Sequence, residues 1–155
     1  MADIRAKERA IQTLTSTGVS LTNGSGGSAG DIDLRTSGGY EGDFQVQMEL
    51  TCQWATITGI ANGTIVADLY LVPKMDGTNT PDVDTTPGAS SFPIACLAGS
   101  FIASKAPTAN TNMRFVTATF DASPRLYTVY IRNRSGQTIS DNWTLKAIGD
   151  QGKTV

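Results

Sequence analysis

The clearest alternation of apolar and polar residues runs from Phe44 to Trp54. Phe44, Val46, Met48, Leu50, Cys52 and Trp54 fall on one side, and Gln45, Gln47, Glu49, Thr51 and Gln53 on the other. A period of two belongs to an extended chain with one face on a core and the other in water, as in an antiparallel sheet. A second run, Thr64 to Pro73, keeps the same period, with Ile65, Ala67, Leu69 and Leu71 opposed to Val66, Asp68, Tyr70 and Val72. It stops at Pro73, which has no amide proton for a ladder, and Lys74 to Ser91 reads as a long polar loop entered through Asp76-Gly77. Between the two runs, Thr56 to Ile60 extends the first strand, and Asn62-Gly63 predicts a hairpin turn.

Shorter extended runs follow the same logic: Asp31 to Arg35, Phe92 to Leu97, Phe101 to Ala103, Met113 to Phe120, Leu126 to Arg132, and Thr138 to Ile148, where Trp143, Leu145 and Ala147 alternate. Gly99 predicts a bulge or bend between two of them. Eight or so strands with long loops at their ends predict an all-β fold, a two-sheet antiparallel sandwich of jelly-roll type. The ends of the chain read differently. Ala2 to Ala10 is rich in helix formers, with Ile4 and Ile11 a heptad apart, and predicts one or two turns of helix. Gln12 to Leu21 is β-leaning, and Asn23 to Gly30 has the Gly/Ser composition of a flexible linker. Two arrangements fit: an extended N-terminal arm over residues 1–30 ahead of a sandwich domain over 31–155, or an ordinary first strand with a loose loop. The tail from Gly149 to Val155 reads as disordered or free for a contact.

A chain of 155 residues suits one domain with its own core. Its net charge of −2 leaves no basic footprint, so neither nucleic acid nor an anionic membrane is an expected partner. No stretch approaches the roughly 20 apolar residues of a membrane helix. The charged start, Met1 to Arg9, lacks the apolar run of a signal peptide, which predicts synthesis and retention in the cytoplasm unless the chain is released by lysis or as part of a particle. Histidine is absent, which removes the commonest general base and excludes histidine-based triads. No nucleophile–base pair or carboxylate dyad stands out, so the expectation is a protein that is not an enzyme and needs no cofactor.

Asp76, Asp82 and Asp84 gather oxygen ligands in one loop, but their spacing departs from a calcium-binding loop, and a solvated turn without metal is expected. Cys52 and Cys96, the two cysteines, read as free thiols acting as small hydrophobes; a disulfide between them would require facing strands. Asn62-Gly63-Thr64, Asn133-Arg134-Ser135 and Asn142-Trp143-Thr144 match the glycosylation pattern and are chance matches in a chain without a secretion signal. Tyr40, Tyr70, Tyr127, Tyr130, Trp54 and Trp143 could stack on sugar rings if exposed, although core packing accounts for most of them.

Two phrases carry a resemblance. Val66 to Asn79 (VADLYLVPKMDGTN) and Tyr127 to Gln137 (YTVYIRNRSGQ) resemble small virion proteins of tailed bacteriophages, the jelly-roll capsid decoration or cement proteins and related head and tail accessories. The likeness spans Phe44 to Ile148. It implies a non-enzymatic virion protein that binds the outer capsid surface and stabilises contacts between major capsid proteins. It further implies a homotrimer at quasi-threefold positions. The arm would then supply reach, with Ile4, Ile11, Leu14, Val19 and Leu21 as capsid or subunit contacts. A different class, a receptor- or carbohydrate-binding module of a head fibre or tail, would require an exposed aromatic platform and ordered loop carboxylates.

Overall fold

The computed structural model describes residues 4–8, 12–15, 19–35, 44–86, 96–123 and 125–154. Its strands are β1 (Ile4–Glu8), β2 (Gln12–Thr15), β3 (Gly26–Asp33), β4 (Phe44–Cys52), β5 (Ile65–Pro73), β6 (Leu97–Ile102), β7 (Met113–Val116), β8 (Phe120–Ala122), β9 (Leu126–Asn133) and β10 (Thr144–Thr154). One sheet has β10 paired with β1, β2 and β4, and β4 in turn with β7 and β8; the other runs β3-β9-β5-β6. Every pairing is antiparallel. The chain crosses from one sheet to the other on leaving β2, β3, β4, β6, β8 and β9. Two sheets ordered β2-β10-β4-β7/β8 and β3-β9-β5-β6 form a jelly-roll sandwich, as the strand spacing predicts.

The alternation in β4 holds: Val46, Met48, Leu50, Cys52 and Trp54 are buried, while Gln45 and Gln47 face water. Across the sandwich they meet Ala67, Leu69 and Leu71 of β5, Val129 and Ile131 of β9 and Phe101 of β6, all in one apolar cluster. Trp54 and Phe115 close one part of it edge to face, with centroids 5.8 Å apart.

Asn62-Gly63 is a turn, with Gly63 at φ +87°, but not a hairpin. It carries the chain from β4 in one sheet to β5 in the other, and residues 56–60 form no strand. The bulge expected at Gly99 falls beside it, in the register shift between Leu97 and Gly99.

The ends of the chain depart most from expectation. Ile4–Glu8 is a strand, not a helix, because β10 offers it a ladder from Thr154 to Asp150. The Gly/Ser run is likewise structured: from Gly26 it is β3, paired with β9, so the expected boundary at residue 30 falls inside a strand. Gly27 fits there because it has no side chain; a Cβ would lie 2.9 Å from Leu21 Cδ2 and 3.2 Å from Trp143 Cζ2. The last strand begins at Thr144 rather than Thr138, and the tail up to Thr154 belongs to it. Pairing of β4 with β10 ends at Gln45 and Asp150, so residues 151–154 are carried by β1 alone among the described strands. At ~3.3 Å per residue this terminal ribbon reaches about 13 Å past that last pair.

Candidate adhesion surface

The outer face of the four-stranded sheet is closed by the chain's own loop. After Pro73, Lys74 Nζ pairs with Asp31 Oδ2 at 2.6 Å, and Thr128 Oγ1 donates to Asp31 Oδ1 at 2.9 Å. Farther along the loop, the Thr80 and Thr128 hydroxyls lie 2.6 Å apart, and Gly26 N donates to the Thr85 carbonyl at 2.9 Å. The loop therefore returns over β9 and β3. Tyr70 and Val72, on the side of β5 turned away from the core, are buried at 4% and 3% exposure. Asp68 on the same side accepts from Ser100 Oγ at 2.7 Å and from Arg134 Nη1 at 2.8 Å, which compensates its burial.

The loop carboxylates serve the turns. Asp76 Oδ1 accepts from the Thr78 and Asn79 amides and Oδ2 from Asn79 Nδ2. These bonds, the Asn79 amide first, hold its carboxyl below the usual carboxylate range. Asp84 is capped in the same way by the Thr86 hydroxyl and amide, also with a lowered pKa. Among the described residues no group of three or more Cys, Asp or Glu is placed to hold a metal ion.

The tryptophan side chains point inward. Trp54 and Trp143 are 0% and 1% exposed, Tyr70 and Tyr127 are buried, and Tyr130 is half-buried; Tyr40 lies outside the described residues. Trp143 Nε1 donates to the Val19 carbonyl, and Trp54 Nε1 to Ser135 Oγ. The aromatic platform needed for sugar stacking is thus not formed by the described tryptophans.

Of the expected arm contacts, Leu14 and Leu21 are packed in the chain's own core at 7% and 1% exposure, so neither is available to a neighbour in this arrangement. Leu21 is anchored by reciprocal amide–carbonyl bonds with Ile139 at 2.9 Å. Val19 is 55% exposed, Ile4 lies on β1, and Ile11 lies outside the described residues. The alternation of β4 has a counterpart in these residues, since Leu14 sits opposite Leu145 of β10. That pairing was not visible without knowing which strand β2 joins.

Among the described residues, a surface that stands open is the margin formed by β6 and the facing edge of β7 and β8. β6 pairs with β5 on one side and with no described strand on the other. Its sequence, Leu97-Ala98-Gly99-Ser100-Phe101-Ile102, carries neither charge nor proline. Leu97 and Ile102 are 47% and 54% exposed, Val116 of β7 is 52% and Ile65, opposite Ile102, is 40%. A cleft of about 350 Å³ between the sheets is lined by Ala98, Gly99, Ile102, Val116, Ala118 and Phe120. Two of the other outer strands are guarded in the usual ways. β3 has a register shift between Ser28 and Gly30 and carries Asp31 and Asp33, and β1 carries Arg5, Lys7 and Glu8. The sequence signal for the open margin was present in Leu97 to Ile102, an uncharged strand, but its edge position is a property of the topology.

Neither cysteine is bonded to the other; Cys52 is buried and Cys96 half-buried. Burial pushes both thiols up, most strongly Cys52.

No family model and no curated protein matches the chain. Among solved structures it is similar to a carbohydrate-binding module of Cellvibrio mixtus lichenase 5A in complex with cellotriose, at 12% identity and a TM-score of 0.35 over 94% of this chain and 88% of that one. It is similar to the infectious bursal disease virus VP2 subviral particle at 10% identity and TM-score 0.39, over 96% of this chain and 38% of that one. A decameric BFDV capsid protein gives 11% and 0.37, over 99% and 100%. Likenesses this distant carry no argument about function, and the jelly-roll assignment rests on the strand order itself.

Proposed function

We propose that this chain is a non-enzymatic structural protein of a phage virion, a decoration or cement protein that binds the outer capsid surface and stabilises contacts between major capsid proteins. The observation that supports it best is the β6 margin. An uncharged edge, unpaired among the described strands and flanked by Leu97, Ile102, Val116 and Ile65, is the kind of strand that soluble proteins ordinarily blunt. A strand of a capsid subunit added to that edge would gain main-chain bonds and cover the apolar side chains together.

The terminal ribbon supplies a second, lateral contact, with Ile4 and the exposed Val19 as the remaining candidates from the expected arm. A two-stranded ribbon is marginal alone, so docking it against a neighbour would favour both the ribbon and the assembly. In a homotrimer at a quasi-threefold position, three such contacts act together, and weak individual contacts become strong through effective concentration.

The test is the stoichiometry and placement of the chain in purified particles. Many copies, in a fixed ratio to the major capsid protein and accessible to antibody on intact shells, are expected. A few copies confined to a tail or vertex would overturn the proposal in favour of a receptor-binding role.

A further inference from the structure

Asn or Asp followed by Gly is chemically labile, because a residue without Cβ lets its backbone nitrogen approach the preceding side-chain carbonyl carbon. The nitrogen loses its proton and bonds to Cγ, ammonia leaves from Asn or water from Asp, and water then opens the cyclic imide to aspartyl or isoaspartyl. The chain has three such dipeptides: Asn23-Gly24, Asn62-Gly63 and Asp76-Gly77. In all three the glycine has positive φ, at 82°, 87° and 75°, and its N–H is engaged. Gly24 N donates to the Asn133 carbonyl at 2.8 Å, Gly63 N to Ala103 at 2.7 Å and Gly77 N to Lys74 at 3.0 Å. A nitrogen held as a donor keeps its proton and its orientation, which is one restraint on the reaction at each site.

Two of the sites have a second restraint. Asn23 Oδ1 accepts from Gly136 N at 3.0 Å, and the carbonyl that holds Gly24 belongs to the fully buried Asn133. Both carboxylate oxygens of Asp76 are engaged by Thr78 and Asn79, which favours the ionised group, a poor electrophile. Asn62 has no such restraint: it is exposed, and its side chain makes no hydrogen bond among the described residues. The Gly63–Ala103 bond also lies at the end of the β5–β6 ladder, just past the last pair, Ile65 with Ile102. Local opening is least costly at such an end.

We propose that Asn62 is the residue at which the folded chain undergoes spontaneous deamidation, while Asn23 and Asp76 are held against the same chemistry by their second set of bonds. The chemistry does not depend on the proposed role. Its consequence for adhesion does: each conversion places a new negative charge, and in the isoaspartyl product an extra backbone carbon, at the turn bonded to Ala103, next to Ile102 of the uncharged edge.

The experiment is incubation of the full chain at mildly alkaline pH, followed by tryptic digestion, chromatography that separates isoaspartyl from aspartyl peptides of equal mass, and mass spectrometry. Residues 10–35, 36–74 and 75–105 are separate tryptic peptides, so each site is read independently. The expected result is conversion at Asn62 about tenfold or more faster than at Asn23 or Asp76 in the folded chain. In urea the Asn23 and Asn62 rates should converge. Thr64→Ala, which removes the hydroxyl that accepts from Ala61 N at 3.0 Å, should accelerate Asn62 alone. Equal rates at Asn23 and Asn62 in the folded chain, Asp76 reacting first, or no acceleration in Thr64→Ala would overturn the proposal.

Discussion

Asn133 offers the sharpest test of what holds the two sheets together. It ends β9 at 0% exposure, and all of its side-chain hydrogen-bonding capacity is used. Nδ2 donates to the Leu21 and Gln137 carbonyls, both at 2.7 Å, and Oδ1 accepts from Ser135 N at 2.9 Å and Ser135 Oγ at 2.7 Å. Through Ser135 the network reaches Trp54 Nε1 at 3.1 Å. Replacing Asn133 by Leu keeps the branching and the number of heavy atoms of the side chain but removes every one of these bonds. The Leu21 and Gln137 carbonyls retain other donors, Ile139 N and Ser135 Oγ, so they are not stranded. The Ser135 amide loses its acceptor inside the protein, at about 1–3 kcal/mol, and the other lost bonds add about 1 kcal/mol each, less what the apolar side chain regains. A net loss of about 3–5 kcal/mol is a large share of the roughly 5–15 kcal/mol available to a domain. It corresponds to a fall in melting temperature of roughly 10 °C or more. Urea unfolding followed by tryptophan fluorescence reads it directly, since Trp54 and Trp143 are both buried. A loss below about 1 kcal/mol, with an unchanged denaturant slope, would refute the reasoning that an unsatisfied amide is what the variant exposes.

Gly27→Ala should cost about 1–3 kcal/mol in the same assay, because its Cβ meets Leu21 and Trp143 in the core; a neutral result would mean that β3 does not pack there. Thiol titration of the native chain should label Cys96 well before Cys52, both reacting promptly only in urea, and equal native rates would contradict the burial of Cys52. The raised pKa of Cys52 also has a sign for stability. The unfolded thiol ionises first, so the contribution is full below its ordinary value near 9 and is lost as pH rises above it. Cys52→Ala should therefore flatten the decline in alkaline stability, measured by chemical denaturation across that range; an unchanged decline would assign it to other groups.

What the sequence made legible is what depends on near neighbours along the chain. The alternation of β4 survives intact because one side of it faces a core and the other water, and that is the whole of its information. β5 shows the limit. Its sides were separable by period, but Tyr70 and Val72 are covered by a loop whose return to Gly26 and Thr128 no local pattern encodes. The Gly/Ser run from Gly26 and the charged start at Ile4 lean by composition toward linker and helix. Each becomes a strand because a long partner, β9 or β10, supplies a ladder from more than 90 residues away in sequence. Asn133-Arg134-Ser135 matched a glycosylation pattern, yet the two polar side chains bond each other in the interior. A polar pair closing an apolar strand was the available sign. The open margin was equally hidden: Leu97 to Ile102 is visibly uncharged, but only the strand order places it at an edge.

The claim on which the functional account stands is that the β6 margin is the surface by which this protein adheres to a shell. It is tested most directly by add-back binding of the purified chain to shells of the major capsid protein of the virion it is proposed to coat, comparing the natural sequence with Ile102→Lys and Val116→Lys combined. Both positions are more than half exposed, so circular dichroism and melting temperature should be unchanged. The account predicts that the natural chain saturates the shells while the variant's affinity falls by about tenfold or more, as expected for charges placed in an apolar contact. Equal binding by the two, with the variant folded, would contradict it.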